Sequence, residues 1–203
     1  YSEGSQKFYK GKVIGASITP LSLSRLRQFG GSSGHWTGQD GSYLGGWSKP
    51  MEEYNFKLWP LKDNELNPYL KKASEILSID NQFRKLSLNE FFNQIEFQYS
   101  KVRFADKFKS HIKNSSKLSL VLNTQLSHFV GHNKRADYAV CISNKSIKKI
   151  TAKYFILACG GIENSRILLW SRDKNKEFID NDLPIGKYWM NHPWILGGEG
   201  IIN

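Results

Sequence analysis

Phe155-Ile156-Leu157-Ala158-Cys159, followed at once by Gly160-Gly161 and then by IENSRILLWS, constrains this chain more than any other stretch. Such an unbroken apolar run is what a strand covered on both faces carries. A Gly-Gly pair can end a strand because glycine takes positive φ and lets another backbone come close. After it, Ile162, Ile167, Leu168 and Trp170 fall at helical spacing. An apolar strand passing through glycines into a helix is how dinucleotide-binding folds bring helix N–H groups against a pyrophosphate or adenine. The same order is also ordinary punctuation between a strand and a helix, and the fuller G-x-G-x-x-G form is absent.

Two further β-like runs lead into it, LSLVLNTQLSHFV and DYAVCISN, and the third is SIKKITAKYFILAC. Their joints, GHNKRA and Asn144-Lys145, carry the glycine and asparagine that turns use, and the two-residue joint suits a tight hairpin. The order expected is therefore a β-meander, a closing strand, and a helix.

A second glycine-rich stretch, RLRQFGGSSGHWTG from Arg25 to Gly38, sets Gly30, Gly31, Gly34 and Gly38 among small hydroxyls, with one His and one Trp. Glycines let a ligand approach the backbone, and serine hydroxyls and N–H groups donate to phosphate or carbonyl oxygens. A solvent loop can be equally rich in Gly and Ser. His35-Trp36 argues against a plain linker, which gains nothing from a large aromatic beside a titratable ring.

The remaining chain reads as packing. Residues 1 to 24, broken by glycines and Pro20, read as an extended approach to this loop, and GQDGSYLGGWSKP as irregular. Tyr43, Trp47, Tyr54, Phe56 and Trp59 can floor a sugar pocket or supply core bulk to an irregular segment. Asn67 as N-cap and Pro68 in the first turn predict a helix with Leu66, Leu70, Ala73 and Leu77 on its apolar stripe. Phe91, Phe92, Ile95 and Phe97 suggest partial burial, and Phe104, Phe108 and Ile112 mark one face of a short helix that leaves His111 among lysines at the surface. Cys141 and Cys159, in apolar runs without metal-type spacing, read as buried thiols. His128 and His132 lie four apart in a strand-like run, where they do not share a face as helical metal ligands do, so no metal site is expected.

The sequence has 203 residues, 39% hydrophobic and 13% aromatic, which is globular and large enough for a core. No apolar run reaches the length of a membrane span. The net charge of +11 raises the question of a polyanionic partner, but the lysines are spread along the chain, which favours a solvated surface over a nucleic-acid face.

GGSSGHW after an Arg-x-Arg, with FILACGGIENSRILLWS far downstream, resembles the glucose–methanol–choline (GMC) oxidoreductases, FAD enzymes that oxidise alcohols. The His-Trp form of the loop is most similar to the sugar-oxidising branches, including pyranose oxidase. WPLKDNELNPYLKKASEIL and DLPIGKYWMNHPW resemble further segments of the family; His192 in the latter is read as structural. The resemblance implies an α/β (α+β) fold with an FAD-binding domain of parallel sheet and β-meander, plus part of a substrate domain. It implies that these residues form the middle of a longer enzyme. Residues 1–38 would be the approach and flavin-contacting loop, 39–116 a partly helical substrate or lid region, 117–172 the strand, meander and strand–Gly-Gly–helix of the FAD domain, and 173–203 the crossover into the substrate domain.

Residue by residue, the resemblance gives Gly30, Gly31, Ser32 and Ser33 backbone and hydroxyl contacts to the cofactor. It puts His35 beside the flavin, at the position where some relatives attach flavin covalently, with Trp36 next to it. Leu126 matches the position whose backbone reads adenine, and Ala158, Cys159, Gly160 and Glu163 match the segment beside the ADP portion. The catalytic proton acceptor that the family requires would lie beyond residue 203, because none of the five histidines matches it. The implied substrate is a small alcohol or sugar. The electron acceptor and the compartment, cytoplasmic or periplasmic, are left open, and the 203 residues alone are expected neither to hold FAD tightly nor to turn over. A reading of another class stands beside this one: a basic module whose glycine-rich loop and aromatics grip nucleic acid or polysaccharide without flavin.

Overall fold

The computed structural model describes residues 3–15, 20–36, 46–47, 63–80, 85–91, 93–95, 98–143 and 146–189. The chain divides into two compact units, Tyr1–Leu120 and Val121–Asn203. Helices mix with antiparallel strands, an α+β composition. Among the described residues every strand pairing is antiparallel, so the expected parallel sheet has no counterpart there.

The first unit opens with helix α1 (Glu3–Gln6), a 3-10 turn (Lys7–Tyr9) and helix α2 (Leu21–Ser24), where an extended approach was expected. Gln6 explains the difference. It is buried, its Nε2 donates to the carbonyls of Ser22 and Arg25, and its Oε1 accepts the N–H of Arg27, so the approach folds back on itself. A 3-10 turn (Gly31–Gly34) follows, then strand β1 (Gly46–Trp47), a two-residue pairing inside a stretch expected to be irregular. The aromatic cluster at 43, 54, 56 and 59 lies outside the described residues.

Helix α3 (Asp63–Leu77) begins four residues before the predicted N-cap and carries Pro68 inside it. A proline removes one N–H donor, and near a helix start that costs a single bond. The expected stripe holds where side chains are described: Leu70, Ala73 and Leu77 are half-buried, and Lys71, Lys72 and Glu75 are exposed. The helix closes on a Schellman pair, Ile79 N–H to Ser74 O (3.1 Å) and Ser78 N–H to Glu75 O (3.3 Å), with Ser78 at φ 54° in the place glycine usually takes. Lys107 Nζ donates to Glu75 O and Ser100 Oγ to Leu77 O, which satisfies further carbonyls of the last turn.

Strands β2 (Lys85–Ser87) and β3 (Asn93–Ile95) pair with each other, and β4 (Gln98–Tyr99) pairs with β1. Phe91, expected to be partly buried, is 78% exposed at the β2–β3 turn, where its N–H is held by Asn89 Oδ1. The Phe104–Ile112 helix is two helices, α4 (Phe104–Lys107) and α5 (Lys109–Asn114), that meet at Phe108. Phe104, Phe108 and Ile112 are half-buried and His111 is exposed.

The second unit is built on the meander β5 (Thr124–His132), β6 (Arg135–Ser143) and β7 (Ser146–Ile150), in the order β5-β6-β7. The β5–β6 turn places Asn133 and Lys134 at φ 47° and 62°, the two left-handed residues of a tight hairpin. The Asn144-Lys145 joint lies outside the described residues. Phe129, Ala139 and Cys141 of the meander form the buried core with Ile167, Phe178 and Ile179. Ile167 comes from helix α6 (Gly161–Lys174), which packs on β5.

Phe155–Cys159 departs from expectation. Phe155 and Leu157 pack on the core, while Tyr154 (77% exposed) and Ile156 (92%) face solvent, and the segment has no strand partner among the described residues. Its in-out alternation is that of an extended chain covered on one face only. Cys159, expected to be buried, is exposed because it sits past the last core contact; Cys141 is buried.

Candidate functional site

In the first unit the loop residues are brought into one turn. Gly30 (φ 83°) and Gly31 (φ 56°) are left-handed, and Gly31 N–H donates to Gln28 O at 3.0 Å. The two glycines differ in their surroundings. A Cβ on Gly30 would stand 2.8 Å from Ala105 N, so this glycine serves the close approach of α4, whereas a Cβ on Gly31 would meet nothing within 4 Å. Gly31 is therefore the open glycine of the turn.

The hydroxyls are largely committed inside the loop. Ser33 is buried; its Oγ donates to Gly30 O (2.6 Å) and accepts Phe104 N–H (3.1 Å). Ser32 Oγ accepts Leu26 N–H (3.2 Å), and Ser32 O receives the N–H groups of His35 and Trp36. Trp36 Nε1 donates to Val102 O (2.6 Å), its carbonyl accepts from Arg103 Nη1 (2.9 Å), and its ring meets Phe104 edge-on at 5.0 Å. Trp36 is thus an anchor that fixes the loop against 102–108. His35, half-buried beside it, has its pKa held below the ordinary imidazole value, chiefly by burial and also by the charge of Arg103; a backbone hydrogen bond with Ser24 works the other way. Burial and Arg103 thus both disfavour the charged imidazolium. Arg25 and Arg27 lie over the rings of Tyr9 and Phe8, at 4.3 and 4.7 Å, and hold positive charge beside the turn.

In the second unit, Ala158, Cys159, Gly160 and Glu163 lie on the turn that feeds α6. Gly160 is at φ 85°, and neither it nor Gly161 has an atom within 4 Å of a Cβ position. Asn164 builds the turn: its Oδ1 accepts Cys159 N–H (2.8 Å), its Nδ2 donates to Leu157 O (3.1 Å), and its own N–H bonds Gly160 O (2.8 Å). The first turn of α6 carries Glu163, whose carboxylate pairs with Arg166 Nε at 2.9 Å. Backbone N–H groups at a helix start favour anions, and a carboxylate beside them suits hydroxyl donors better than phosphate. Leu126 lies on β5 opposite Cys141, half-buried against the core.

Sequence reasoning did not single out Asn164, Gln6 or Arg103. An Asn one turn into a helix after Gly-Gly is a signal for the first; the other two act through tertiary partners. His192 lies outside the described residues. Among the described residues no group of three metal-ligating side chains converges, and no helix is long and apolar enough to cross a membrane. No protein-family model, no curated protein and no solved structure matches the chain.

Proposed function

We propose that this chain is part of an FAD-dependent oxidoreductase of the GMC type, acting on the CH–OH group of an alcohol or sugar. The observation that carries the reading is the turn at Gly160-Gly161. It combines positive φ, open space at both glycines, a helix N-terminus and a first-turn carboxylate, after a β-meander and an extended segment. In this reading Gly160, Gly161 and the first N–H groups of α6 seat the adenosine end, with Glu163 accepting from ribose hydroxyls. The resemblance, not the placement of the two units, assigns the flavin end to the glycine-rich loop, where Gly31 is the open glycine and Gly30, Ser33 and Trp36 hold the shape. Flavin supplies acceptance of a hydride from the substrate carbon, and the protein supplies orientation.

The test is the flavin content of the protein purified from the complete reading frame that encodes this chain. Near-stoichiometric flavin, bleached anaerobically by an alcohol or sugar, is the expected result. Flavin-free protein that binds nucleic acid or polysaccharide in a salt-dependent way would instead establish the basic-module reading.

A further inference from the structure

The two margins of the meander are unlike. At β5, helix α6 closes the edge: Ser171 Oγ accepts the N–H of Phe129 (2.9 Å) and Asn175 Nδ2 donates to its carbonyl (3.1 Å). At the other margin, among the described residues, β7 pairs with β6 alone, and all five of its residues are exposed. Alternate residues of a strand paired on one side send their N–H and C=O groups outward.

The side chains along this margin read Ile147-Lys148-Lys149-Ile150. Ile147 and Lys149 stand opposite Ile142 and Val140 on one face, and Lys148 and Ile150 opposite Cys141 and Ala139 on the core face. Ile142 and Ile147 are 41% and 72% exposed. Lys149 lies 4.9 Å from the ring of Tyr138, which fixes its charge on the outer face, and Lys153 follows beside Tyr154.

We propose that β7 receives an acidic, extended segment of a partner protein as a fourth strand. The partner's backbone would complete the ladder, two adjacent carboxylates would meet Lys148 and Lys149, and apolar residues on either side would cover Ile147 and Ile150. Ile-Lys-Lys-Ile reads the same in both directions, so parallel and antiparallel entry place the same groups together. Charge decides the occupant. Lysines on an edge strand repel a second copy of the same edge, the more so in a chain of net charge +11, and attract an acidic strand.

The probe is a fluorescein-labelled peptide containing Val-Glu-Glu-Val between threonines, titrated against the full protein by anisotropy, with a Val-Lys-Lys-Val peptide as its counterpart. The acidic peptide is expected to bind at least about tenfold tighter, and less so as salt rises. Amide exchange of 146–150 should slow on binding. In the Lys148→Glu/Lys149→Glu variant the preference between the two peptides should reverse. Lys149→Gln, a milder change that keeps most of the side chain, should lose about threefold. Equal binding of both peptides, or a preference that survives charge reversal, overturns the proposal. So does binding of phosphatidylserine vesicles or a single-stranded oligonucleotide through β7 with no discrimination between the peptides, or self-association through β7.

Discussion

Ser171 Oγ lies 2.9 Å from the backbone nitrogen of Phe129, and Ser171 is completely buried. This hydroxyl also donates to Ile167 O within its own helix (2.7 Å), so one side chain ties helix to strand with both of its bonds made. Replacing Ser171 with Ala strands a buried N–H, which costs about 1–3 kcal/mol. Urea unfolding should show that loss, and exchange of the Phe129 amide should speed up. Unchanged stability would mean that α6 does not close the β5 edge in this way.

Gly30 and Gly31 separate packing from openness within one turn. Gly30→Ala pushes a Cβ against the Ala105 backbone at positive φ, whereas Gly31→Ala meets only the conformational cost of its φ. The first should destabilise the protein by several kcal/mol and the second by about 1 kcal/mol. If the flavin reading holds, Gly31→Val should instead weaken flavin retention more than it lowers the melting temperature. The check is a melting curve beside a flavin assay on each variant.

The two thiols make a further contrast. Burial raises the pKa of Cys141, and Cys159 is exposed. Thiolate is the reacting form and access is required. A thiol reagent should therefore modify Cys159 in the native protein, while Cys141 reacts only on unfolding. Peptide mapping after brief labelling distinguishes them, and equal labelling of both would contradict the buried meander core.

His35 and His128 both have their pKa lowered, chiefly by burial, with Arg103 and Lys174 respectively adding repulsion. For each, the unfolded chain binds its proton at a higher pH than the folded chain does. Stability therefore rises with pH across the window between the lowered folded value and about 6.5, and falls as acidification proceeds through it. Proton titrations followed by NMR should give midpoints below the ordinary imidazole value for both rings. Replacing Arg103 with Met should raise that of His35.

Local patterns were legible wherever a residue's own preference decides its conformation. The Leu70–Leu77 stripe, the Phe104–Ile112 face and the Asn133-Lys134 turn all follow from periodicity or tolerance of positive φ. Where a distant partner decides, the sequence is silent. Nothing local says that Gln6 will pin Arg25 and Arg27, or that Lys107 will cap a helix some thirty residues earlier. Apolar composition predicts a doubly covered strand at Phe155–Cys159 but does not count neighbours; Ile156 at 92% exposed shows how far the two can part. In the glycine-rich loop the sequence marks six residues of interest but cannot tell Trp36 and Ser33, which are fixed by protein bonds, from Gly31, which is open.

The flavin claim meets its most direct test in hydrogen exchange of the complete gene product with and without FAD, read at the amides of Gly161, Ile162 and Glu163. Slowed exchange at these first-turn groups on adding one equivalent of FAD, lost in a Gly160→Val variant, is the predicted result. Tight flavin binding that leaves them unchanged, or no flavin binding at all, would contradict the account.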